Sequence, residues 1–497
     1  MIQETSTIGT HNTTPVTTWP TAGIVNNNNG GAAQTVPVYA DVQRIRYDAN
    51  FVYLNSSGLA SYTMGPWLQT ATTLFGFWPV SQNFTAKIPR SPASPVPTTK
   101  TAHTGGPIGM MVNGVVIYDL GDAFAFVQSG SAPVTGSDAM MQTNVTHPWW
   151  RDALAVEVVT FDSGFAHQPG MTGQYHYHAQ PKAVRYQLGD NMQATYDSVN
   201  HTYSYTEDAS NLHHSPILGW CYDGYPIYGP YGYTSPMDPN SGVSRMRSGF
   251  VLRNATNAAL YGITDINSTG RTTLPKWAAI AEGFAYVAGT NNDYNLAANL
   301  QGPATSYVNN GTTYSLGRYS GDYDYLGDRG QIQGPTGPFD LDQYNGRICT
   351  TPEFPGGTYA YFVTNNAAGS PVFPYMLGKQ YYGTKTGTNM NVVVPAGVTE
   401  DFSGGLNTVE KWINSPAVNA GTGDVTLRWS SVEGGTYKVE ASNDLVGWST
   451  LAAALPAPAN TILPAPANVI TQTTYTDLGA ALPANNSRRA YRATRNP

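Results

Sequence analysis

The dipeptide Asn113-Gly114 places the strongest constraint on how this chain folds. It stands between two apolar runs, residues 108–112 and 115–118, and Asn-Gly in that setting is the strongest short-range hairpin signal. The run at residues 358–364, Thr-Tyr-Ala-Tyr-Phe-Val-Thr, is compatible with a buried strand. These segments predict a mainly β protein.

Composition supports this fold class and extends it to a domain organisation. Only 11% of the residues are charged, while the chain has 52 Gly, 35 Pro and 33 Tyr, a profile typical of turn-rich β proteins with long loops. Because 497 residues exceed what one hydrophobic core usually supports, more than one domain is expected. We predict a flexible or docking N-terminal arm (1–40), a β-rich domain with long loops (41–400) and a C-terminal immunoglobulin- or fibronectin III-like β-sandwich (401–497).

The N-terminal arm and the C-terminal region differ in composition and in hydrophobic pattern. The arm contains a run of four Asn and two Gly at residues 26–31 and almost no apolar periodicity, so it cannot offset its ordering entropy by burial. The C-terminal region instead has short alternating segments separated by turn residues, as in a β-sandwich. These segments are residues 425–429, 436–442, 448–451, 473–477 and 489–494.

Net charge and hydropathy exclude several partners. The formal net charge is −7, which provides no basic surface for nucleic acid or an anionic membrane, and no apolar run reaches the ~20 residues that span a bilayer. Residues 1–5 lack the basic and apolar regions of a signal peptide. The chain is therefore either cytoplasmic or a trimmed form of a secreted protein, and its composition favours an extracellular or cell-surface location.

The histidines are concentrated in one part of the chain. His176 and His178 are two residues apart in a segment typical of a strand, so their side chains share one face and Tyr175 and Tyr177 occupy the other. Two such imidazoles can converge on one ion. An isolated pair more often belongs to a polar network without metal, but the further histidines nearby shift the interpretation to a metal site. Within fifty residues lie His167, His176, His178, His201, His213 and His214.

We predict that His167 and His214 complete the ligand set, with copper slightly preferred over zinc as the ion. His213, His147 and Asp223 are alternative ligands. Tyr175, Tyr177 and Asp223 are predicted to orient the imidazoles. No Gly-x-Ser-x-Gly, HExxH or P-loop motif is present, so no reaction is assigned, and catalytic and structural sites both remain open.

Two acidic loops are weaker candidates for calcium. Asp265 opens a segment with EF-hand-like spacing, but Lys276 stands at the twelfth position, where a bidentate Glu is needed. Asp322, Asp324 and Asp328 form the second loop. Solvated turns are the preferred interpretation of both, and calcium is the alternative.

The chain has two cysteines, Cys221 and Cys349. In an oxidising compartment one alternative is a single disulfide closing a long loop, worth about 4–5 kcal/mol in the chain-entropy model. The alternative is two separate buried thiols.

The tetrapeptide Tyr175-His176-Tyr177-His178 and the sequence around it resemble the bacterial YHYH-domain family. The similarity covers roughly residues 80–385. It implies a mostly β, extracellular or cell-surface protein that binds metal through its histidines, and it implies no particular reaction. The similar blocks are residues 106–118, 161–167, 173–178, 214–233, 341–347, 351–363 and 373–375.

The chain also departs from that family. Members often have Cys where this sequence has Gly164 and Tyr344, and losing both is consistent with losing one disulfide. Within this resemblance, Cys221 and Cys349 are interpreted as a replacement staple. Residues 435–448 resemble the C-terminal β-sandwich modules of large bacterial surface proteins, which mostly mediate adhesion, spacing or assembly.

The predicted function is extracellular binding of copper or zinc by the histidine cluster. The alternative is a structural subunit of a surface layer, tube or filament, in which the histidines form a clip within or between subunits. In that case residues 1–40 would dock on a neighbouring copy by β-augmentation, and the C-terminal domain would add contacts. The two hypotheses are compatible, because a metal-binding domain can also polymerise.

Overall fold

The computed structural model confirms a mainly β fold. It describes residues 6–7, 39–60, 62, 64–70, 73–77, 79–140, 143–170, 172–197, 202–210, 212–286, 293–403, 416–432, 436–457, 470–479 and 489–495. Most of the predicted arm, including the Asn-rich run, lies outside these residues.

The first half of the chain contributes fifteen strands. They are β1 (Ser6–Thr7), β2 (Tyr39–Ala40), β3 (Val42–Tyr47), β4 (Phe51–Ser56), β5 (Leu68–Thr70), β6 (Thr73–Leu74), β7 (Phe84–Pro89), β8 (Pro107–Met111), β9 (Val116–Tyr118), β10 (Gly121–Ser131), β11 (Val134–Met140), β12 (Trp150–Asp152), β13 (His176–Tyr177), β14 (Met192–Asp197) and β15 (Thr202–Glu207).

The remaining strands continue to the C-terminal region. They are β16 (Ile217–Cys221), β17 (Pro226–Tyr228), β18 (Tyr231–Tyr233), β19 (Val243–Arg245), β20 (Phe250–Leu252), β21 (Thr273–Pro275), β22 (Asp293–Asn295), β23 (Val308–Asn309), β24 (Thr312–Thr313), β25 (Tyr323–Tyr325), β26 (Gly346–Cys349), β27 (Thr358–Phe362), β28 (Thr399–Ser403), β29 (Ala417–Val418), β30 (Val425–Val432), β31 (Thr436–Ser442), β32 (Ser449–Pro456), β33 (Ile470–Asp477) and β34 (Ala490–Arg495).

Helices are few and short. None in the described part of the chain is long and apolar enough to cross a membrane. The α-helices are α1 (Ala153–Glu157), α2 (Lys182–Gln187), α3 (Ala255–Tyr261), α4 (Ile266–Thr269) and α5 (Lys276–Glu282), and the 3-10 helices are Val158–Thr160, Ala298–Leu300, Ser320–Asp322 and Leu326–Arg329.

A seven-stranded sheet in the order β13-β9-β8-β16-β17-β27-β26 forms the centre of the fold. The predicted hairpin is present as β8 and β9, which pair antiparallel. The backbone N–H of Gly114, at φ +79°, donates to the carbonyl of Met111 and closes the turn. The side-chain amide of Asn113 donates to the hydroxyl of Tyr177, 3.1 Å away. The turn residue thus helps to fix the histidine-bearing strand.

The central sheet contains the same hairpin twice. Residues 107–118 and 217–228 share Gly at the third position, Asn or Asp followed by Gly at the seventh and eighth, and Ile-Tyr at the end. The two hairpins meet antiparallel at Met110 and Trp220, which relates the halves of the sheet by an approximate two-fold. Their registers agree pair by pair: Pro107↔Tyr118, Gly109↔Ile117 and Met110↔Val116 match Ile217↔Tyr228, Gly219↔Ile227 and Trp220↔Pro226.

The strand beside each hairpin repeats as well. β13 runs parallel to β9, and β27 runs parallel to β17. The hydroxyl of Tyr177 accepts a hydrogen bond from Asn113 in the first hairpin turn. The hydroxyl of Tyr361 donates one to Asp223, which has the equivalent position in the second turn. Likewise, each upstream tyrosine donates to an aspartate: Tyr175 to Asp162 and Tyr359 to Asp342. Residues 175–178 therefore correspond to residues 359–362.

A third element completes the repeat. The segments 162–167 and 342–347 have the same turn, in which the first residue's N–H donates to the carbonyl of the fifth and the fourth residue has a positive φ. The last residues of the two segments are His167 and Arg347. His167 bridges to His176, and Arg347 pairs with Ala360 at the corresponding position.

A second sheet packs against the central sheet. Its order is β28-β3-β4-β7, and buried residues of β3, β4 and β7 share one core with the central sheet. The predicted boundary at residues 400–401 falls inside β28, which pairs with β3. The division into three parts stays a prediction.

The described part of the C-terminal region has two three-stranded sheets, β29-β30-β33 and β32-β31-β34. Leu427 and Trp429 from one sheet and Tyr437 and Val439 from the other are buried in one core. The assignment to an immunoglobulin or fibronectin III type stays a prediction. The only described residues of the arm before residue 39, 6–7, pair with residues 39–40.

The cysteines are two separate buried thiols, which is the second of the two alternatives that the sequence left open. Cys221 ends β16 and Cys349 ends β26, and β17 and β27 lie between them. Three strand spacings separate the two by about 14 Å, whereas a disulfide requires Cα atoms within about 7 Å.

We expect Gly114→Ala to destabilise the protein more than Gly311→Ala. Both glycines follow Asn in a hairpin turn and have φ near +78°, which costs a non-Gly residue about 1–2 kcal/mol. A Cβ on Gly114 would also overlap the Ser56 hydroxyl, whereas one on Gly311 meets open space. Overpacking should add about 1–3 kcal/mol for Gly114→Ala alone, measurable as the difference in urea midpoints. Equal midpoints for the two variants would contradict the close approach at Gly114.

Candidate metal centre

Three buried histidine rings meet on one face of the sheet edge. β13 places His176 and His178 on the same face, and His167 lies opposite His176, where the two backbones exchange N–H···O bonds of 2.8 and 3.2 Å. All three residues are 3–5% exposed. The ligand atoms of the three rings lie within 4.8 Å of one another. His176 and His178 thus share one face, as their spacing predicts, and the backbone bridge to His176 brings His167 beside them.

Two of the rings are held in a defined tautomer. Nδ1 of His176 lies 2.8 Å from the carbonyl oxygen of Gln174, and Nδ1 of His178 lies 2.7 Å from that of Asp119. A carbonyl oxygen can only accept, so in both rings Nδ1 carries the hydrogen. The lone pair of each neutral ring is therefore on Nε2.

His167 reaches the same state through a hydroxyl. Its Nδ1 lies 2.6 Å from Oγ1 of Thr160, which donates its own hydrogen to the carbonyl of Glu157 at 2.7 Å. Oγ1 must then accept from Nδ1–H, which leaves the lone pair on Nε2. That Nε2 is buried and has no hydrogen-bond partner.

The lone pairs face one another. Nε2 of His176 and Nε2 of His178 are 3.0 Å apart. Burial lowers the pKa of His178 to about 4, and burial together with the neighbouring histidines lowers the pKa of His167 and His176 well below the usual value. All three rings are therefore neutral at physiological pH. Lone pairs in this arrangement repel unless a cation lies between them.

A carboxylate that the sequence analysis missed faces the same point. Oε2 of Glu157 is 3.5 Å from Nε2 of His167 and 3.4 Å from Nε2 of His178, and it has no hydrogen-bond partner. Burial raises the pKa of Glu157 to about 8, with a contribution from Asp122. The side chain is 28% exposed. The available signal was a single charged residue in the apolar stretch 153–161.

Aromatic rings enclose the cluster. Tyr118 stacks on His176 with 3.8 Å between ring centroids, and Phe161 lies parallel to His178 at 6.1 Å and edge-on to His167 at 4.6 Å. This shell limits water access and lowers the local dielectric constant, which strengthens electrostatic interactions inside it.

Tyr175 and Tyr177 have a different role from the one predicted. Their hydroxyls lie on the opposite side of the strand, where the hydroxyl of Tyr62 contacts both, at 2.8 and 2.6 Å. Tyr175 also donates to Asp162 at 2.6 Å. The tyrosines therefore fix the strand, whereas backbone carbonyls and Thr160 orient the imidazoles.

The remaining predicted residues lie elsewhere. His214 precedes β16 in the other half of the sheet, bonds the carbonyl of Ser215 and packs against Tyr228 and Tyr233. Asp223 accepts from Tyr361 in the β16–β17 turn. Neither belongs to the donor cluster found in the described residues. His213 bonds the carbonyl of Gly189, His147 bonds Thr146, and His201 lies outside the described residues.

The acidic loops are engaged in other contacts. Asp322 is held by Arg271 at 2.7 and 2.8 Å, Asp324 pairs with Arg329, and Asp328 pairs with Lys276 at 2.7 Å. Asp265 caps α4 by accepting from the N–H of Asn267. A basic side chain neutralises each of the three aspartates, although Oδ1 of Asp324 and Oδ2 of Asp328 have no hydrogen-bond partner. Neither loop is among the donor clusters found in the described residues, so the calcium alternative stays a prediction.

Comparison with known proteins supports the resemblance seen in the sequence. Searches of curated proteins and of solved structures each returned no significant match. A family model described as YHYH protein matches residues 85–373, which is more than half of the chain. The matched range contains the three histidines, Glu157 and both halves of the repeated sheet. The chain therefore belongs to the YHYH protein family.

Proposed function

We propose that this protein binds a divalent transition-metal ion, copper or zinc, through Nε2 of His167, His176 and His178. The observation that carries the proposal is the common tautomer of the three rings. Each Nδ1–H is committed to an acceptor, as is usual for metal-ligating histidines. Each Nε2 is left as a bare, buried donor for an ion.

Glu157 supplies the fourth ligand in this proposal. Ligand atoms about 2.0–2.1 Å from a tetrahedral zinc ion lie about 3.3–3.4 Å from one another. The distances from Glu157 Oε2 to two imidazole nitrogens, 3.4 and 3.5 Å, already match this spacing. The 3.0 Å between His176 and His178 needs to widen by a few tenths of an ångström, and separations of up to 4.8 Å among the three histidine ligand atoms need to shorten.

The donor set favours particular ions. Three imidazole nitrogens and one carboxylate suit zinc or copper(II), whereas calcium and magnesium require mainly oxygen ligands. Burial raises the pKa of Glu157 to about 8, so a bound ion displaces a proton from this carboxyl group. The resulting carboxylate adds a negative charge that favours a divalent over a monovalent ion. Glu157 is also the most exposed of the four side chains, so an ion reaches the site from its side.

The position of the donors bears on the assembly hypothesis. All four side chains come from one chain, and the histidines lie below its surface. This favours an ion held within the chain over a clip between subunits. An extracellular or cell-surface location remains part of the proposal, supported by the low charge content. Self-association through residues 1–40 and 401–497 stays a prediction.

Replacing His176 with Ala should remove the bound ion. We expect the affinity for Zn²⁺ to fall by more than about 100-fold, since changes to outer-shell residues alone typically cost about 10–100-fold. In the wild type, an ion present at 100 times its Kd contributes about 2.7 kcal/mol of stability and so raises the melting temperature. The variant should lose this rise, because the same ion concentration no longer exceeds its Kd. Metal content by mass spectrometry and thermal denaturation with and without chelator provide the measurements.

His147→Ala is the matched control, because this histidine bonds Thr146 outside the cluster. It should retain the metal content and the chelator-sensitive melting of the wild type. Less than about a tenth of an equivalent of zinc or copper in untagged wild-type protein, with melting unaffected by chelator, would refute metal binding.

Glu157→Gln should distinguish a ligand from a bystander. We expect the affinity for Zn²⁺ to fall about 10-fold or more, because the ligand set loses its negative charge. Copper(I) affinity, which three neutral imidazoles satisfy, should change little. Competition titrations with a chromogenic chelator measure both constants. Unchanged Zn²⁺ affinity would exclude Glu157 from the ligand set without affecting the assignment of the histidines.

A further inference from the structure

Arg347 is the exception among the four buried arginines of the described chain. The other three each pair with a carboxylate: Arg185 with Asp190 and Glu207, Arg253 with Asp293, and Arg271 with Asp322. Arg347 is 3% exposed, and none of the ion pairs found among the described residues includes it. Its Nη2 donates to the carbonyl of Tyr233, while Nε and Nη1 have no hydrogen-bond partner.

The position of Arg347 is set by the internal repeat. Arg347 corresponds to His167 in the half of the sheet that carries the three histidines. Arg347 lies opposite Ala360, just as His167 lies opposite His176. The counterparts of His178 and Tyr118 are Phe362 and Tyr228, which stack on each other. The second half thus presents a cation where the first half presents cation ligands.

His214 lies beside the same two aromatic rings, Tyr228 and Phe362. Its ring packs against Tyr228, Tyr233 and Phe362, and the guanidinium of Arg347 lies 5.5 Å from the Phe362 ring centroid. Nδ1 of His214 is 2.8 Å from the carbonyl of Ser215, so this nitrogen carries the hydrogen. Nε2 is buried and has no partner, and in the neutral ring it is an acceptor.

The neighbouring charges do not neutralise Arg347. Asp340 is held by Arg247 through bonds of 2.8 and 2.9 Å. Cys349 contacts the guanidinium, but burial raises the pKa of its thiol, which is uncharged at neutral pH. Glu353 accepts from the Tyr228 hydroxyl at 2.8 Å. A buried guanidinium with unmet donors is costly, and such groups normally have a bound anion or water as partner.

We propose that Arg347 and His214 form a second site, which binds a small oxyanion. The ligand offers a charged oxygen to the free N–H groups of Arg347 and a hydroxyl hydrogen to Nε2 of His214. An oxyanion that also donates a hydrogen bond has this chemistry, as hydrogen phosphate and hydrogen carbonate do. Nε and Nη1 of Arg347 need an acceptor, and Nε2 of His214 needs a donor. Chloride and simple carboxylates can only accept hydrogen bonds, so the site favours an oxyanion that also carries a hydroxyl group. The proposal is independent of metal binding at the first site.

Anion binding is tested on the full-length protein. Thermal denaturation and isothermal titration calorimetry are run with inorganic phosphate, hydrogen carbonate, acetate and chloride at equal ionic strength. Stabilisation by phosphate or by hydrogen carbonate, beyond that by acetate and chloride, is expected, and the stronger of the two identifies the preferred anion. Equal effects of all four salts, or none, would overturn the proposal and leave water as the partner of Arg347.

Variants locate the effect. Arg347→Gln and His214→Phe should each weaken anion binding about 10-fold or more, since each removes a hydrogen bond to a charged group. Arg90→Gln, which removes an exposed guanidinium just after β7, should bind as the wild type does. His176→Ala should also leave anion binding unchanged. Wild-type affinity in the folded His214→Phe variant would refute the site even if Arg347→Gln did not fold.

Discussion

The antiparallel pairing of β8 with β16 is the constraint on which the rest of the structure depends. It joins two hairpins of the same register at Met110 and Trp220, and each hairpin then receives a parallel strand on its outer side. The parallel strand β13 carries His176 and His178, so the backbone ladder at the sheet edge fixes where the imidazoles lie. The tyrosine hydroxyls behind the strand prevent a slip in register, which would turn the histidines to the other face.

The two halves of the sheet show how one framework supports opposite electrostatics. In the first half, carbonyl oxygens and Thr160 hold three imidazoles with their lone pairs converging. In the second, Arg347 stands in place of His167 and Phe362 in place of His178. The aspartates that anchor both turns, Asp162 and Asp342, are the same in both. The shared framework is therefore structural, and the ligand preference depends on a few side chains at the sheet edge.

Several features of the fold were predictable because they depend on local sequence. The Asn113-Gly114 hairpin follows from turn chemistry and apolar flanks, and the histidine strand follows from the period of two. The internal repeat was visible in principle, since residues 107–118 and 217–228 share Gly, Asn/Asp-Gly and Ile-Tyr at equal spacing. His214 is close to the other histidines in sequence, but the structure places it in the other half of the sheet, beside Tyr228 and Tyr233.

The sequence by itself determined the fold class, the hairpin and the sharing of one face by His176 and His178. Only the tertiary structure decided which other residues join them. A backbone bridge places His167 beside His176, and Glu157 lies at the end of a short helix. No periodic sequence pattern predicts either contact. The same holds for Cys221 and Cys349, which strand order keeps apart. Local patterns set the direction of a side chain, whereas long-range strand pairing decides what it meets.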